Sequence, residues 1–226
     1  MHDFFIRKGY NGMEKESFTY GQDCSCFRPM KAGGAMTHKF DVSNKNKLDN
    51  EWRREHLPAT TTLERLGLTQ EDTVADIGCG IGYFSIPAAE IVGKRSKVFA
   101  LDTAEEMLDE VEKRTAHVSV DNIVTIRTGE YDLILPDETV TFALLVNVLH
   151  EIEDKTRFLR EIHRVLKPGG RLAVIEWDKR PMEMGPSMDH RIAREDAIRE
   201  VKTCGFELVD EMMFAEIFYG LVLHKT

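Results

Sequence analysis

The segment Val74-Ala75-Asp76-Ile77-Gly78-Cys79-Gly80-Ile81-Gly82-Tyr83-Phe84 constrains this chain more than any other. Its first four residues are apolar and β-prone apart from Asp76, and the run is too short for a helix, so it reads as a buried strand. Three alternating glycines follow, and they permit backbone angles and close approaches that a Cβ forbids. Residues 84–92 then read as a helix able to pack back on a sheet. A strand, a glycine turn and a helix N-terminus in succession place a ligand cradle at the carboxyl end of a parallel strand.

The spacing narrows the ligand. The dinucleotide pattern G-x-G-x-x-G needs glycine at position 83, but Tyr83 stands there and the third glycine is Gly82. Asp76, two residues before the first glycine, would repel a pyrophosphate and suits a ligand that carries an ammonium or a sulfonium. Both features disfavour an NAD-dependent oxidoreductase. Asp76-Ile77-Gly78-Cys79-Gly80-Ile81-Gly82 resembles the D-x-G-x-G-x-G signature of class I S-adenosylmethionine (SAM)-dependent methyltransferases. The resemblance implies an α/β fold: a Rossmann-like three-layer sandwich on a mostly parallel seven-stranded sheet with a reversed terminal strand. It also implies SAM as cofactor, with Asp76, Gly78, Cys79, Gly80, Gly82, Tyr83 and Phe84 around it.

The chain totals set the class. Its 226 residues suit one domain with a sizeable core, with room for an appendage. A net charge of −9 argues against a broad nucleic-acid surface. No apolar run is long enough to span a bilayer and no extended apolar signal region opens the chain, so a cytoplasmic protein is expected. Four cysteines without framework spacing agree with a reducing compartment.

Residues 1–36 read as an N-terminal extension, rich in Gly, Lys, Ser and aromatics, and residues 37–226 as the methyltransferase-like domain. Cys24-x-Cys26 reads either as half of a soft-element site or as two unremarkable thiols. Arsenite methyltransferases hold their substrate with cysteines, but Cys79 and Cys204 do not complete such a triad by sequence, and no metal centre is expected. Residues 41–70 read as a helical cap, with Trp52 and Leu57 as anchors, Pro58 opening a helix and Gly67 ending it.

Residues 97–102 form the expected second strand. Asp102 stands at its end, about twenty residues past the turn, where an acidic residue accepts hydrogen bonds from ribose hydroxyls. Its alternative is to cap the following helix, a task open to Thr103 as well. In the resemblance Thr103 and Met107 flank an adenine. After the third strand, residues 123–128, the family's adenine-contacting acid falls at Gly129, with Glu130 next, so either the amide or the side chain of Glu130 serves. Residues 139–147 form the central strand, and the carbonyl near Asn147 is placed to accept from the ligand's ammonium.

His150 and Glu151 fall where the reacting methyl is expected. His150 fits either a general base or a structural histidine that satisfies a loop carbonyl. Asp154 caps a helix whose Phe158, Leu159, Ile162 and Val165 recur at helical spacing. The stretch Arg164-Val165-Leu166-Lys167-Pro168-Gly169-Gly170-Arg171-Leu172 is typical of the same class and reads as helix stop, turn and strand start. Residues 178–194 read as a substrate loop, with Glu176, Asp178, His190 and Arg191 as candidate contacts and Arg191 as a holder of a carboxylate or phosphate. A final strand pair completes the sheet.

The pattern is similar to the branch with ubiquinone/menaquinone C-methyltransferases and arsenite methyltransferases. It implies methyl transfer to a small-molecule acceptor by in-line displacement, a reaction that alignment and exclusion of water can drive without a protein nucleophile. A non-catalytic sensor of SAM or S-adenosylhomocysteine is the alternative.

Overall fold

The computed structural model describes residues 47–226. The expected extension at 1–36, with Cys24 and Cys26, and the first residues of the helical cap lie outside the described residues.

Two short helices open the described chain, α1 (Glu51–His56) and α2 (Ala59–Arg65). Asn50 caps α1 by accepting the Arg53 amide, and Pro58 precedes α2, where a missing N–H costs nothing. Strands and helices then follow, alternating except that β4 succeeds β3 directly: β1 (Val74–Ile77), α3 (Ser85–Val92), β2 (Val98–Asp102), α4 (Glu105–Thr115), β3 (Ile123–Arg127), β4 (Val140–Val146), α5 (Lys155–Val165) and β5 (Leu166–Trp177). The chain ends with α6 (Arg194–Thr203) and the pair β6 (Phe206–Phe214) and β7 (Phe218–Lys225).

The seven strands lie in the order β3-β2-β1-β4-β5-β7-β6. All neighbours are parallel except that β7 runs antiparallel to both β5 and β6. The expected mostly parallel sheet with an inserted reversed strand is thus the one observed. The order reverses direction between β1 and β4, and a crevice opens at such a switch point beyond the strands' carboxyl ends.

The central strands are buried on both faces, which explains their near-continuous apolar sequence. Along β4, Phe142 and Leu144 face one apolar cluster with α2 and α3, while Ala143 and Leu145 face another with α5 and α6. Helix α4 packs on the sheet through Leu108 and Val111, which meet Ala100 of β2 and Ile123 of β3.

One detail departs from expectation. The strand does not wait for Arg171 but begins at Leu166, which pairs with Val140; the register then shifts before Arg171 pairs with Phe142. Residues 167–169 are therefore an exposed bulge in the strand, not a turn ahead of it.

At the end of the sheet away from the crevice, Asp72 is a polar hub. Its carboxylate accepts from the Thr69 amide (2.8 Å), the Thr69 and Thr141 hydroxyls and the Arg171 guanidinium (2.6 Å). Arg171 also donates to the Gly67 carbonyl and so ties the end of α2 to β5. Truncating Asp72 leaves the half-buried Arg171 charge without its partner. Asp72→Ala should cost about 3 kcal/mol of stability, read as a lower urea midpoint at unchanged slope.

Candidate functional site

A cavity of about 750 Å³ occupies the crevice and is lined by the carboxyl ends of β1, β2 and β4, the glycine turn, the segment before α1 and residues 184–186. The turn makes its floor. A Cβ on Gly78, whose φ is +70°, would lie 2.6 Å from Val148, and one on Gly80 would lie 2.9 Å from Leu48. Side chains at these two positions would push their neighbours into the cavity space.

Two carboxylates stand at the ends of adjacent strands. Asp76 is fully buried and accepts from the Ser85 hydroxyl at 2.5 Å. Burial pushes its pKa up to about 6, with the nearby Asp102 charge adding to the shift. Asp102 accepts from the Gly80 amide with one oxygen and from the Ala104 amide with the other, each at 2.9 Å. Burial also raises its pKa, against the pull of those amides. The expected division of labour is corrected here: Thr103 does not cap α4, and Asp102 itself receives the Ala104 amide. Two of the roughly four acceptor positions of the carboxylate are used, which leaves two for a ligand.

The other wall carries a cation. Arg53 of α1 lies over the Tyr83 ring at 5.1 Å, and its buried Nε has no hydrogen-bond partner. Burial lowers its pKa, while Tyr83, Asp49 and Asp76 act in the opposite sense. The Tyr83 hydroxyl donates to the Leu57 carbonyl and ties the cap helices to the glycine turn. Across the cavity, Asn147 takes a left-handed conformation (φ +58°), which asparagine tolerates. Its Oδ1 is buried without a partner. Two carboxylates, one orphaned acceptor and one cation with an orphaned Nε in a single cavity complement a ligand with hydroxyls, an ammonium and a carboxylate.

Beyond Asn147, the single turn Leu149–Glu151 brings His150 and Glu151 to the cavity. His150 Nδ1 lies 2.7 Å from Glu176 Oε2, and the His150 amide donates to Glu176 Oε1 at 3.2 Å. Burial pushes the imidazole pKa down, but Glu176, and Glu151 beside it, outweigh burial and the net shift is upward. Trp177 follows in the cavity wall and stacks with Trp52 of α1, ring centroids 5.8 Å apart.

The loop that roofs this end is held from within. Arg191 is buried and donates to the carbonyls of Pro186, Asp178, Arg180 and Met184. The expectation that Arg191 holds a substrate carboxylate or phosphate is therefore overturned, because its donors are spent on the loop backbone. Gly185 lies flat on Trp177; a Cβ there would come within 2.7 Å of the indole. Met184, Gly185 and Pro186 then face the cavity in place of the expected His190 and Asp178, which lie outside its lining.

Nearly all residues singled out from sequence come together. Asp76, Gly78, Cys79, Gly80, Tyr83, Phe84, Asp102, Thr103, Met107, Gly129, Glu130, Asn147, His150 and Glu151 all line the cavity. Gly82 does not: its place is against α4, where a Cβ would sit 3.1 Å from Val111, so its need is close packing. The Gly129 amide is engaged by the Asp132 carbonyl at 3.0 Å, which leaves Glu130 as the donor or acceptor at that corner. Cys204 lies at the end of α6, outside the lining, so Cys79 and Cys204 do not share a site. Among the described residues no His, Cys, Asp and Glu group is arranged to hold a metal ion. Arg53 was missed because one arginine in a polar helix looks solvated; its signal was the neighbouring Trp52, which marks that helix face as inward.

Comparison with known proteins gives the same picture. Residues 75–174 match a family model described as a methyltransferase domain. The chain is 32% identical over 130 residues to the demethylmenaquinone methyltransferase of Listeria monocytogenes, covering 58% of this chain and 52% of that protein. It is 30% identical over 149 residues to the ubiquinone/menaquinone biosynthesis C-methyltransferase of Escherichia coli, covering 64% and 57%. The chain thus spans little more than half the length of the relatives it matches. A crystal structure of a SAM-dependent methyltransferase from Aquifex aeolicus superposes with a TM-score of 0.80 at 28% identity, over 83% of this chain and all of that one.

Asp76 sets a pH signature for the ligand-free protein. Its folded pKa, about 6, is above the ordinary 3.8, so the folded state loses stability as pH rises from about 4 to 6. The loss amounts to about 3 kcal/mol at neutral pH. Asp76→Asn, which keeps an acceptor for Ser85, should raise the melting temperature at pH 7 and flatten its dependence over that window; an unchanged curve would show that Asp76 ionises freely.

Proposed function

We propose that the chain, which resembles class I SAM-dependent methyltransferases, transfers a methyl group from SAM to a small-molecule acceptor. One observation carries the reading: a single cavity sets two carboxylates, Asp76 and Asp102 at the ends of β1 and β2, opposite Arg53, whose guanidinium stacks on Tyr83 and whose Nε is buried without a hydrogen-bond partner. SAM has the matching groups, a ribose diol, an ammonium, a carboxylate and a sulfonium.

In this proposal Asp102 receives the ribose hydroxyls with its two remaining acceptor positions. Asn147 and Asp76 face the ammonium and sulfonium side, and Arg53 pairs with the carboxylate in bidentate fashion. Thr103, Met107, Gly129 and Glu130 surround the adenine, with Glu130 as its polar contact. Gly78, Cys79 and Gly80 supply a floor close enough for backbone contact, and Tyr83 and Phe84 hold Arg53 in place. When bound, SAM supplies an electrophilic methyl on a positively charged sulfur. The chain's own task is alignment in a dry cavity, since a reaction that neutralises charge is slowed by water.

The acceptor side is formed by Trp52, Trp177, Met184 and Pro186, with His150 and Glu151 at its edge. The net charge of −9 supports a small molecule over nucleic acid as acceptor. The buried free thiols of Cys79 and Cys204 support action in the reducing cytoplasm. No helix among the described residues is long and apolar enough to cross a membrane.

The test is transfer of labelled methyl from SAM into fractionated cell extract, with SAM affinity measured in parallel by calorimetry. Wild type should label one small-molecule fraction. Asp102→Ala removes a charged acceptor from two hydroxyls and should weaken SAM binding by about a hundredfold. SAM binding without label in any fraction would favour a sensor.

A further inference from the structure

Behind the cavity wall lies a residue pair that alignment alone does not require. His150 is 10% exposed and presents its ring at the cavity, while Glu176, 1% exposed, sits behind it on β5 outside the lining. The carboxylate grips both the His150 backbone amide and Nδ1, so it fixes the position of the residue and the plane of its ring. An ionised carboxylate only accepts hydrogen bonds, so the proton of the neutral imidazole sits on Nδ1 and Nε2 keeps its lone pair. Nε2 lies 4.0 Å from Glu151 Oε1, beyond a hydrogen bond.

We propose that His150 is the general base of the proposed transfer, that Glu176 is its positioning residue, and that the acceptor is an uncharged, apolar-bodied molecule whose hydroxyl is deprotonated as it is methylated. The inference rests on the methyltransferase reading and adds the acceptor class to it. The acceptor's O–H proton passes to Nε2. The freed oxygen pair forms the bond to the methyl carbon as the carbon–sulfur bond breaks, its pair staying on sulfur in S-adenosylhomocysteine. The imidazolium then returns its proton to solvent.

The surroundings select against a charged acceptor. Trp52, Trp177, Met184 and Pro186 offer apolar surface, and Glu151 and Glu176 make the local field negative. Lys155 is the cation that acts on His150, and its ammonium donates to the Ile152 carbonyl at 2.6 Å. Tyr219 of β7 faces Glu176, and its own hydroxyl donates to the Ile192 carbonyl. Arg191, the cation over Trp177, is committed to the loop. An anionic acceptor finds repulsion beside His150, since the cavity's other cations, Lys47 and Arg53, come from the cap segment and Arg180 beside Trp177 pairs with Asp178. An acceptor that is already ionised would not need the base.

The experiment uses the full chain saturated with S-adenosylhomocysteine, with 2-naphthol as probe and 2-naphthoate as its anionic counterpart. Imidazole nitrogen NMR, assigned with His150→Asn, reads the base directly. Expected are a proton on Nδ1 of the neutral ring and, in Glu176→Gln, a His150 titration moved to lower pH. 2-Naphthol should perturb the Nε2 signal, and 2-naphthoate should bind at least about tenfold more weakly. A proton on Nε2, a titration unmoved by Glu176→Gln, or naphthoate binding as tightly as naphthol would overturn the proposal. If Glu176→Gln does not fold, the wild-type tautomer and the probe pair still decide. Failure of S-adenosylhomocysteine to bind would instead sink the methyltransferase reading itself.

Discussion

Two carboxylates placed side by side in a protein interior repel each other and resist burial, and the crevice is arranged around that tension. Asp76 and Asp102 end neighbouring parallel strands, β1 and β2, and both have pKa values raised by burial. The structure offsets part of the cost with the Ser85 hydroxyl and two backbone amides. The rest is left for a ligand that brings hydrogen-bond donors and positive charge. The glycine turn matters because it keeps the space over these carboxylates clear, and the Gly80 amide that steadies Asp102 comes from the same turn. The cap helix α1 adds a group of opposite sign, Arg53.

Much of this was legible in the sequence because it is local. A strand, three glycines and a helix lie within the nineteen residues 74–92, and each step has a steric reason visible in residue type. Asp102 follows at the spacing that a β-α-β unit dictates. The near-continuous apolar run of β4 and the helical period of α5 mark a strand buried on both faces and a helix packed over it. The misplacements are also instructive. Gly82 shares the turn's pattern but serves packing against Val111, since alternating glycines in a turn face different neighbours. Residues 167–169 carry strong turn chemistry, yet the ladder begins before them, because a sheet can absorb extra residues as a bulge.

The acceptor side was less legible because its contacts are long-range. His150 and Glu176 stand 26 positions apart, and only the parallel pairing of β4 with β5 brings the end of one strand beside the other. Arg191 shows the limit from the other side. A loop arginine has the chemistry to bind an anion, but whether its donors are spent on carbonyls depends on the loop's path, which no periodicity encodes. The same path brings Gly185 flat against Trp177, so a residue with no side chain shapes the pocket by letting the loop close in.

The central claim is that Asp76 and its neighbours form a charge-matched cradle for SAM. Calorimetric titration of SAM in two buffers of different ionisation enthalpy, at pH 6 and pH 8, tests it directly. With the Asp76 pKa near 6 in the empty protein, the account predicts saturable binding that releases protons at pH 6, with the release lost in Asp76→Asn and absent at pH 8. Absence of binding, or binding at pH 6 without proton release, would contradict it.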